Sequence, residues 1–190
     1  MDDLVKGLRA GESAAFERLV REYGDRIFRF VRRLVGARHA EDVAQDVLIR
    51  VHRSVASYEP TGSFDSWLFT IANNLCIDHL RRNRPERREG SLDAEEGEPH
   101  VPDHREAGPM AALEDREIQE ALRRAVAALP VDQRQVFLMR EAGGLTFEAI
   151  ASALGIPAGT AKTRMRSALS HLRCSLESFA PASLEERSSP

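Results

Sequence analysis

Residues 146–173 read TFEAIASALGIPAGTAKTRMRSALSHLR, and the punctuation of this stretch decides the fold of the second half of the chain. Thr146 stands before an apolar run, with Glu148 in what would be the first helical turn. That is the arrangement of an N-cap with an acid placed favourably to the helix dipole. Leu154-Gly155-Ile156-Pro157 then supplies a glycine stop and a proline start. Beyond it, Gly159 to Arg173 carries Lys162, Arg164, Arg166 and Arg173 and no acidic residue. A short helix, a glycine turn and a longer basic helix describe a helix-turn-helix, and its second helix reads either as one that enters a DNA major groove or as an ordinary basic surface helix.

Working outward, two more helices are expected before it, from about Leu113 to Leu129 and from Val131 to Glu141, parted by Pro130 and closed by Gly143-Gly144. The last helix is expected over Pro157 to about Leu176. The first half of the chain shows helical periodicity three times. Phe16, Leu19, Val20, Tyr23, Ile27, Val31 and Leu34 recur at spacings of three and four, as do Val43, Val47, Leu48, Val51 and Val55. A third series runs through Phe64, Trp67, Leu68, Ile71, Leu75 and Leu80. Breaks fall at Gly36 and at Glu59-Pro60-Thr61-Gly62, and no window alternates like a strand. Most of these stripes are core, Trp67 included.

Between the halves, residues 85–112 read PERREGSLDAEEGEPHVPDHREAGPMAA, with four prolines, three glycines and no apolar period. This composition is that of a flexible tether, able to span roughly 90 Å if fully extended. The fold expected is therefore all-α, with two small helical domains over 1–84 and 113–177, an acidic linker over 85–112 and a tail over 178–190.

Composition excludes several classes. The 190 residues are 42% hydrophobic and 30% charged, which is globular material. No run is long enough to span a bilayer, and the opening MDDLVKGLRAGES has no apolar stretch of the kind a secretory signal needs. Cys76 and Cys174 are far apart and fit a reducing cytoplasm rather than a disulfide scaffold or a cysteine-clustered zinc site. His100 and His104 have the spacing of a metal pair but no helix to align them and no third strong ligand, so no metal or other cofactor is expected. No nucleophile–base pair, paired carboxylates or nucleotide loop points to catalysis. The net charge of −3 conceals an uneven distribution. The linker holds 8 acidic residues against 3 basic ones, whereas residues 1–84 hold 14 basic against 12 acidic. A global isoelectric point thus says little about partners.

Taken together, three blocks resemble the extracytoplasmic-function (ECF) group of sigma factors within the bacterial sigma-70 family. They are AEDVAQDVLIRVHR (Ala40–Arg53), FDSWLFTIANNLCIDHLRR (Phe64–Arg82) and ALPVDQRQVFLMREAGGLTFEAIASALGIPAGTAKTRMRSALSHLR (Ala128–Arg173). Their order, the linker and the total length fit the two-domain plan of that group. The resemblance implies a sigma-2-like domain that recognises and melts the −10 promoter element, and a sigma-4-like domain that reads the −35 element. It implies a specificity factor for core RNA polymerase, not an enzyme, working in the cytoplasm.

It also implies roles for residues. Asp42, Gln45 and Asp46, on the outer face of the second helix beside Glu41, would dock on the β′ clamp helices of the polymerase, which is also touched through its β subunit. Ser57 and Gly62, in the loop before the third helix, would wall a flipped-base pocket. Asn74 would offer its amide to a −10 base edge, with Asp78, Arg81 and Arg82 beside it, the arginines on phosphates. In the second domain Thr160, Lys162, Thr163, Arg164, Arg166, Ser167 and Arg173 would meet the −35 DNA. Many members carry arginine at the positions of Ser167 and Leu169. Here the charge sits at Arg166, about 100° round the helix from Ser167, which favours Lys162, Thr163 and Arg166 for the groove and Arg164 and Arg173 for phosphates. The linker acids Asp93, Glu95, Glu96 and Glu98 would thread the RNA-exit path. Members are commonly held by an anti-sigma factor, a further expected partner.

Two other readings remain open from the sequence. A stand-alone helix-turn-helix regulator would explain the second domain but leave Ala40–Arg53 without a purpose. A helical interaction protein would explain both domains but not the basic GTAKTRMR segment.

Overall fold

The structure is a computed structural model that describes residues 1–59, 62–83 and 109–177, with 109–117 described as backbone only. The linker acids, His100, His104, Arg84 and the tail lie outside the described residues. Among those described, every regular element is a helix. The eight α-helices are α1 (Asp2–Arg9), α2 (Ser13–Val35), α3 (Ala40–Ser54), α4 (Phe64–Arg82), α5 (Pro109–Ala128), α6 (Val131–Glu141), α7 (Phe147–Leu154) and α8 (Ala158–Glu177).

Helices α2, α3 and α4 form a bundle because each buries one apolar stripe toward the other two. Leu19, Tyr23, Ile27, Phe30, Val31 and Leu34 of α2 meet Val43, Val47 and Val51 of α3 and Leu68, Phe69 and Ala72 of α4, all buried. Edge-to-face rings tie the layers, with Phe30 on Phe69 and Tyr23 on Phe64, each at 5.4 Å between centroids. Trp67 packs tilted against Tyr58 and Phe64 and so takes the packing role expected of it. Helix α4 begins where Ser63 caps it, its hydroxyl accepting the Ser66 N–H.

Helix α1 was not expected from the sequence. Its Leu4, Val5 and Leu8 are buried on α2, and the eight-residue helix is too short for its period to be read alone. In the second half, α5 starts at Pro109, four residues before the expected Leu113, a suitable first residue because proline's missing N–H has no partner in the first turn anyway. Thr146 caps α7 by accepting the Ala149 N–H, and Gly155, at φ 63°, closes it in the left-handed conformation. The Ile156 N–H then returns to the Ala151 carbonyl, so the glycine turn forms as its sequence predicts.

The two halves pack on one another. Helices α2 and α4 meet α5, α6 and α7, and the buried apolar residues of both halves form one continuous cluster.

Candidate nucleic-acid interface

Helix α8 buries Ala161, Met165, Ala168 and Leu172 at spacings of three and four, and this stripe fixes which side chains face outward. Lys162, Thr163, Arg166 and Arg173 are exposed, whereas Thr160, Arg164 and Ser167 are half-buried. The expected groove-facing trio thus lies together on the open side. The Thr163 hydroxyl donates to the Gly159 carbonyl at 3.0 Å, so that donor is already engaged. Lys162 is 3.8 Å from Glu148 and sits over the Phe147 ring. Arg164 is turned onto α6, 3.2 Å from Asp132, so a phosphate would have to exchange with that carboxylate. Leu169 is 49% exposed and lengthens this face by an apolar step.

On α3, Glu41, Asp42, Gln45 and Asp46 all stand exposed on one face, because Val43, Ala44 and Val47 take the other. Ile49, one turn beyond Gln45 and 40% exposed, continues the face. The sequence reading named it neither in the apolar stripe nor on the outer face, because an isoleucine beside Leu48 carries no polar signal.

The third cluster lies on α4. Asn74, Asp78, Arg81 and Arg82 are exposed, and the first three line an open cavity of about 420 Å³. Its opposite wall belongs to the second half: Gln135 from α6, with Ala153 and Leu154 from α7. At its floor Asn73 is only 2% exposed, and its Oδ1 accepts from Gln135 Nε2 at 2.9 Å. Ser57 and Gly62 are exposed in the loop ahead of α4. That loop is held from behind by Arg9, which donates to the carbonyls of Val55 and Tyr58. Arg9 escaped the sequence reading because it ends a helix whose existence the sequence did not declare.

Polar groups hold the seam between the halves. Arg26 of α2 lies 2.8 Å from Asp65 and reaches across to the carbonyls of Ala142 and Gly143, at 3.4 and 3.1 Å, where α6 ends. A cation at a helix C-terminus satisfies orphan carbonyls and meets the negative end of the dipole. Gly143 is required there, since a Cβ would come within 2.5 Å of the Met139 carbonyl oxygen. Arg134 of α6 does the reverse. It donates to Ala127 and Leu129 at the end of α5 and, at 3.4 Å, to Leu34 at the end of α2. Burial holds the Arg134 pKa below the ordinary guanidinium value, and its Nε is buried without a partner.

With this geometry in place, comparison with known proteins is decisive. The family model for sigma-70 region 2 matches residues 19–86, and that for sigma-70 region 4 matches residues 119–172. The chain belongs to the ECF group of the sigma-70 family. It is 35% identical over 167 residues to the ECF RNA polymerase sigma factor SigE of Mycolicibacterium smegmatis, a match covering 86% of this chain and 63% of that longer relative. It is 32% identical to the ECF RNA polymerase sigma factor SigW of Bacillus subtilis, over 89% of this chain and 92% of the relative. Among solved structures, the sigma factor RpoE of Bartonella quintana, determined with the anti-sigma factor NepR, shares the fold at a TM-score of 0.65 and 22% identity. That match covers 85% of this chain and 96% of RpoE. Helices α2–α4 therefore correspond to region 2 and α5–α8 to region 4.

No described helix is long and apolar enough to cross a membrane, and no described group of three or more His, Cys, Asp or Glu could hold a metal ion.

Proposed function

We propose that this chain is an alternative sigma factor that binds core RNA polymerase and directs it to promoters, working in the cytoplasm and performing no catalysis of its own. The observation that carries the reading is the joint presence of two surfaces that neither rival needs together. One is the acidic face of Glu41, Asp42, Gln45 and Asp46 on α3; the other is the basic face of Lys162, Thr163 and Arg166 on α8. A stand-alone DNA-binding regulator has no use for the first, and an interaction adaptor none for the second.

In this mechanism the α3 face docks on the polymerase clamp, and Ile49 gives the acidic face an apolar anchor of the kind that carries binding energy at interface centres. Helix α8 enters the −35 major groove. Helix α4 reads the −10 element through Asn74, whose amide both donates and accepts, while Arg81 and Arg82 hold phosphates and Ser57 and Gly62 wall a captured base. The cavity before Asn74 has region 4 as its far wall, through Gln135, Ala153 and Leu154, which stands where a −10 strand would pass. Reading by α4 therefore requires regions 2 and 4 to part. An anti-sigma factor, of the kind bound by the RpoE relative, is the partner suited to keep the chain from polymerase.

The test is reconstitution. Purified chain added to core polymerase should give transcripts with defined starts that core alone does not make. Asp42→Ala with Gln45→Ala should abolish those starts and weaken core binding while helix content by circular dichroism stays the same. Unchanged core affinity in that double variant would remove the docking role. Failure of the wild type to bind core would remove the function.

A further inference from the structure

Helices α2, α5 and α6 enclose a small cleft between the two regions, of about 30 Å³, lined by Arg33, Gln119, Leu122, Arg123, Val126 and Phe137. Its charge is out of balance. Arg33 is half-buried, and Arg29 lies near enough to add its own repulsion to the desolvation that lowers the Arg33 pKa. Across the cleft, burial and the neighbouring Arg32 and Arg124 do the same to Arg123. The carboxylate that offsets this charge is Glu120, which pairs with both Arg123 and Arg124. Among the described residues, Arg29, Arg32 and Arg33 meet no carboxylate within ion-pairing distance.

A half-buried guanidinium without an anion is a costly arrangement, because desolvation is not repaid by any pairing. Like charges drawn from two different helices raise that cost further. Such a cost is removed when an anion enters. Guanidinium forks match phosphoryl oxygens two at a time, which an ammonium group cannot do. We infer that this cleft is a binding site for the phosphoryl end of a small free phosphate compound, gripped by Arg33 from region 2 and Arg123 from region 4, with Arg29 and Arg32 adding positive potential nearby. Because the walls come from both regions, an occupant stabilises the packed arrangement and opposes their separation. This inference concerns an anion and a cleft, and it stands or falls independently of promoter recognition.

Inorganic pyrophosphate is the probe, titrated into the full chain by calorimetry at fixed ionic strength. One saturable site is expected, together with a rise in thermal midpoint that sodium chloride at matched ionic strength does not give. Arg33→Gln and Arg123→Gln should each weaken binding about tenfold or more, whereas Arg18→Gln, on the far-side Glu22 pair of the same helix, should leave it unchanged. Arg33→Lys keeps the charge and loses the fork, so weakened binding by a variant of native helicity supports the site even if Arg33→Gln fails to fold. Absence of saturable binding, an equal thermal shift from sodium chloride, or equal losses in Arg18→Gln would overturn it. So would a single-stranded oligonucleotide that binds through the same arginines more tightly than pyrophosphate, since the site would then serve a polymer backbone.

Discussion

Helices α4 and α8 carry the two surfaces assigned to DNA, and they are presented in opposite ways. On α8 the exposed face follows from the helix's own stripe: once Ala161, Met165, Ala168 and Leu172 are buried, Lys162, Thr163 and Arg166 must point away. On α4 the corresponding face looks into a cavity whose far wall is region 4, and its neighbour Asn73 is sealed beneath a bond to Gln135. The exposure of α8 is a local property of a sequence. That of α4 is a property of how two regions sit together. A −35 contact should thus respond to changes in α8 and in the carboxylates Asp132 and Glu148 paired with it, while a −10 contact should respond to changes anywhere along the seam.

The largest expected contrast lies in the cysteines, one on each helix. Cys76 of α4 is fully buried and its thiol is pushed up to about 12 by desolvation, whereas Cys174 of α8 is exposed. At pH 8 the Cys76 thiolate fraction is about 10⁻⁴, and the thiolate is the nucleophile. Native protein treated with a thiol-titrating disulfide reagent should release one equivalent quickly and the second only on denaturation. Two fast equivalents would break the comparison, because the inner face of α4 would then be open.

Next comes Arg166→Ala. A base-edge contact is worth about 1–3 kcal/mol and belongs to one sequence position, whereas a phosphate contact weakens all sequences alike and lowers the salt slope. Selection over a randomised −35 library at two salt concentrations separates these outcomes. Relaxed preference at one position is expected. A uniform loss would make Arg166 a phosphate anchor and pass the reading to Lys162 and Thr163.

How far the sequence reached follows the same division. The glycine turn at Gly155, the Thr146 cap and the core role of Trp67 were legible because each depends on a few neighbouring residues or on one helical period. The packing of the two regions was not. Beside the shared apolar cluster it uses Arg26, Arg134 and Gln135, charged or polar residues that no apolar period marks and whose partners across the seam lie 62 to 117 positions away. The acidic linker suggested two bodies held apart by composition alone, and nothing in the linker encodes the arginine caps exchanged across the seam. Candidate residues on α8 and α3 were named from the family resemblance, while the outward faces that carry them follow from each helix's own apolar stripe. The cavity before Asn74 and the cleft at Arg33 could not, since each is walled by helices from both regions.

The seam itself is sharpened by Gln135→Ala. Removing the amide leaves Asn73 Oδ1 buried without its donor, a loss worth about 1–3 kcal/mol for an unsatisfied group. The adjoining cavity admits water to that oxygen, which places the expected cost near 1 kcal/mol. Urea unfolding of the wild type, Gln135→Ala, Asn73→Ala and the double variant gives the coupling energy directly. A coupling of zero would mean that the two side chains do not meet in solution and that the −10 face is already free.

The smallest effect lies where α3 meets the end of α4, away from the seam. His79 packs tilted against His39 at 4.6 Å between ring centroids and meets the Asn83 amide nitrogen at 2.7 Å through Nε2. Burial first, then His39 and Arg82, lower its pKa, while Asp42 and Asp46 pull the other way. A lowered value means that the unfolded chain takes up a proton at a higher pH than the folded one does. Stability is therefore undiminished above the ordinary histidine range, near pH 6.5, and falls as the pH drops through that range toward the lower folded value. The carboxylates that oppose the shift are two of the residues assigned to polymerase docking, so Asp42→Ala should deepen the acid-side fall and His79→Gln should flatten it. Denaturant midpoints between pH 5 and 8 test this, and a profile unchanged by both substitutions would remove His79 as the titrating group. This end of α4 would then be as indifferent to its neighbours as α8, and dependence on other elements would be confined to the part of α4 that faces region 4.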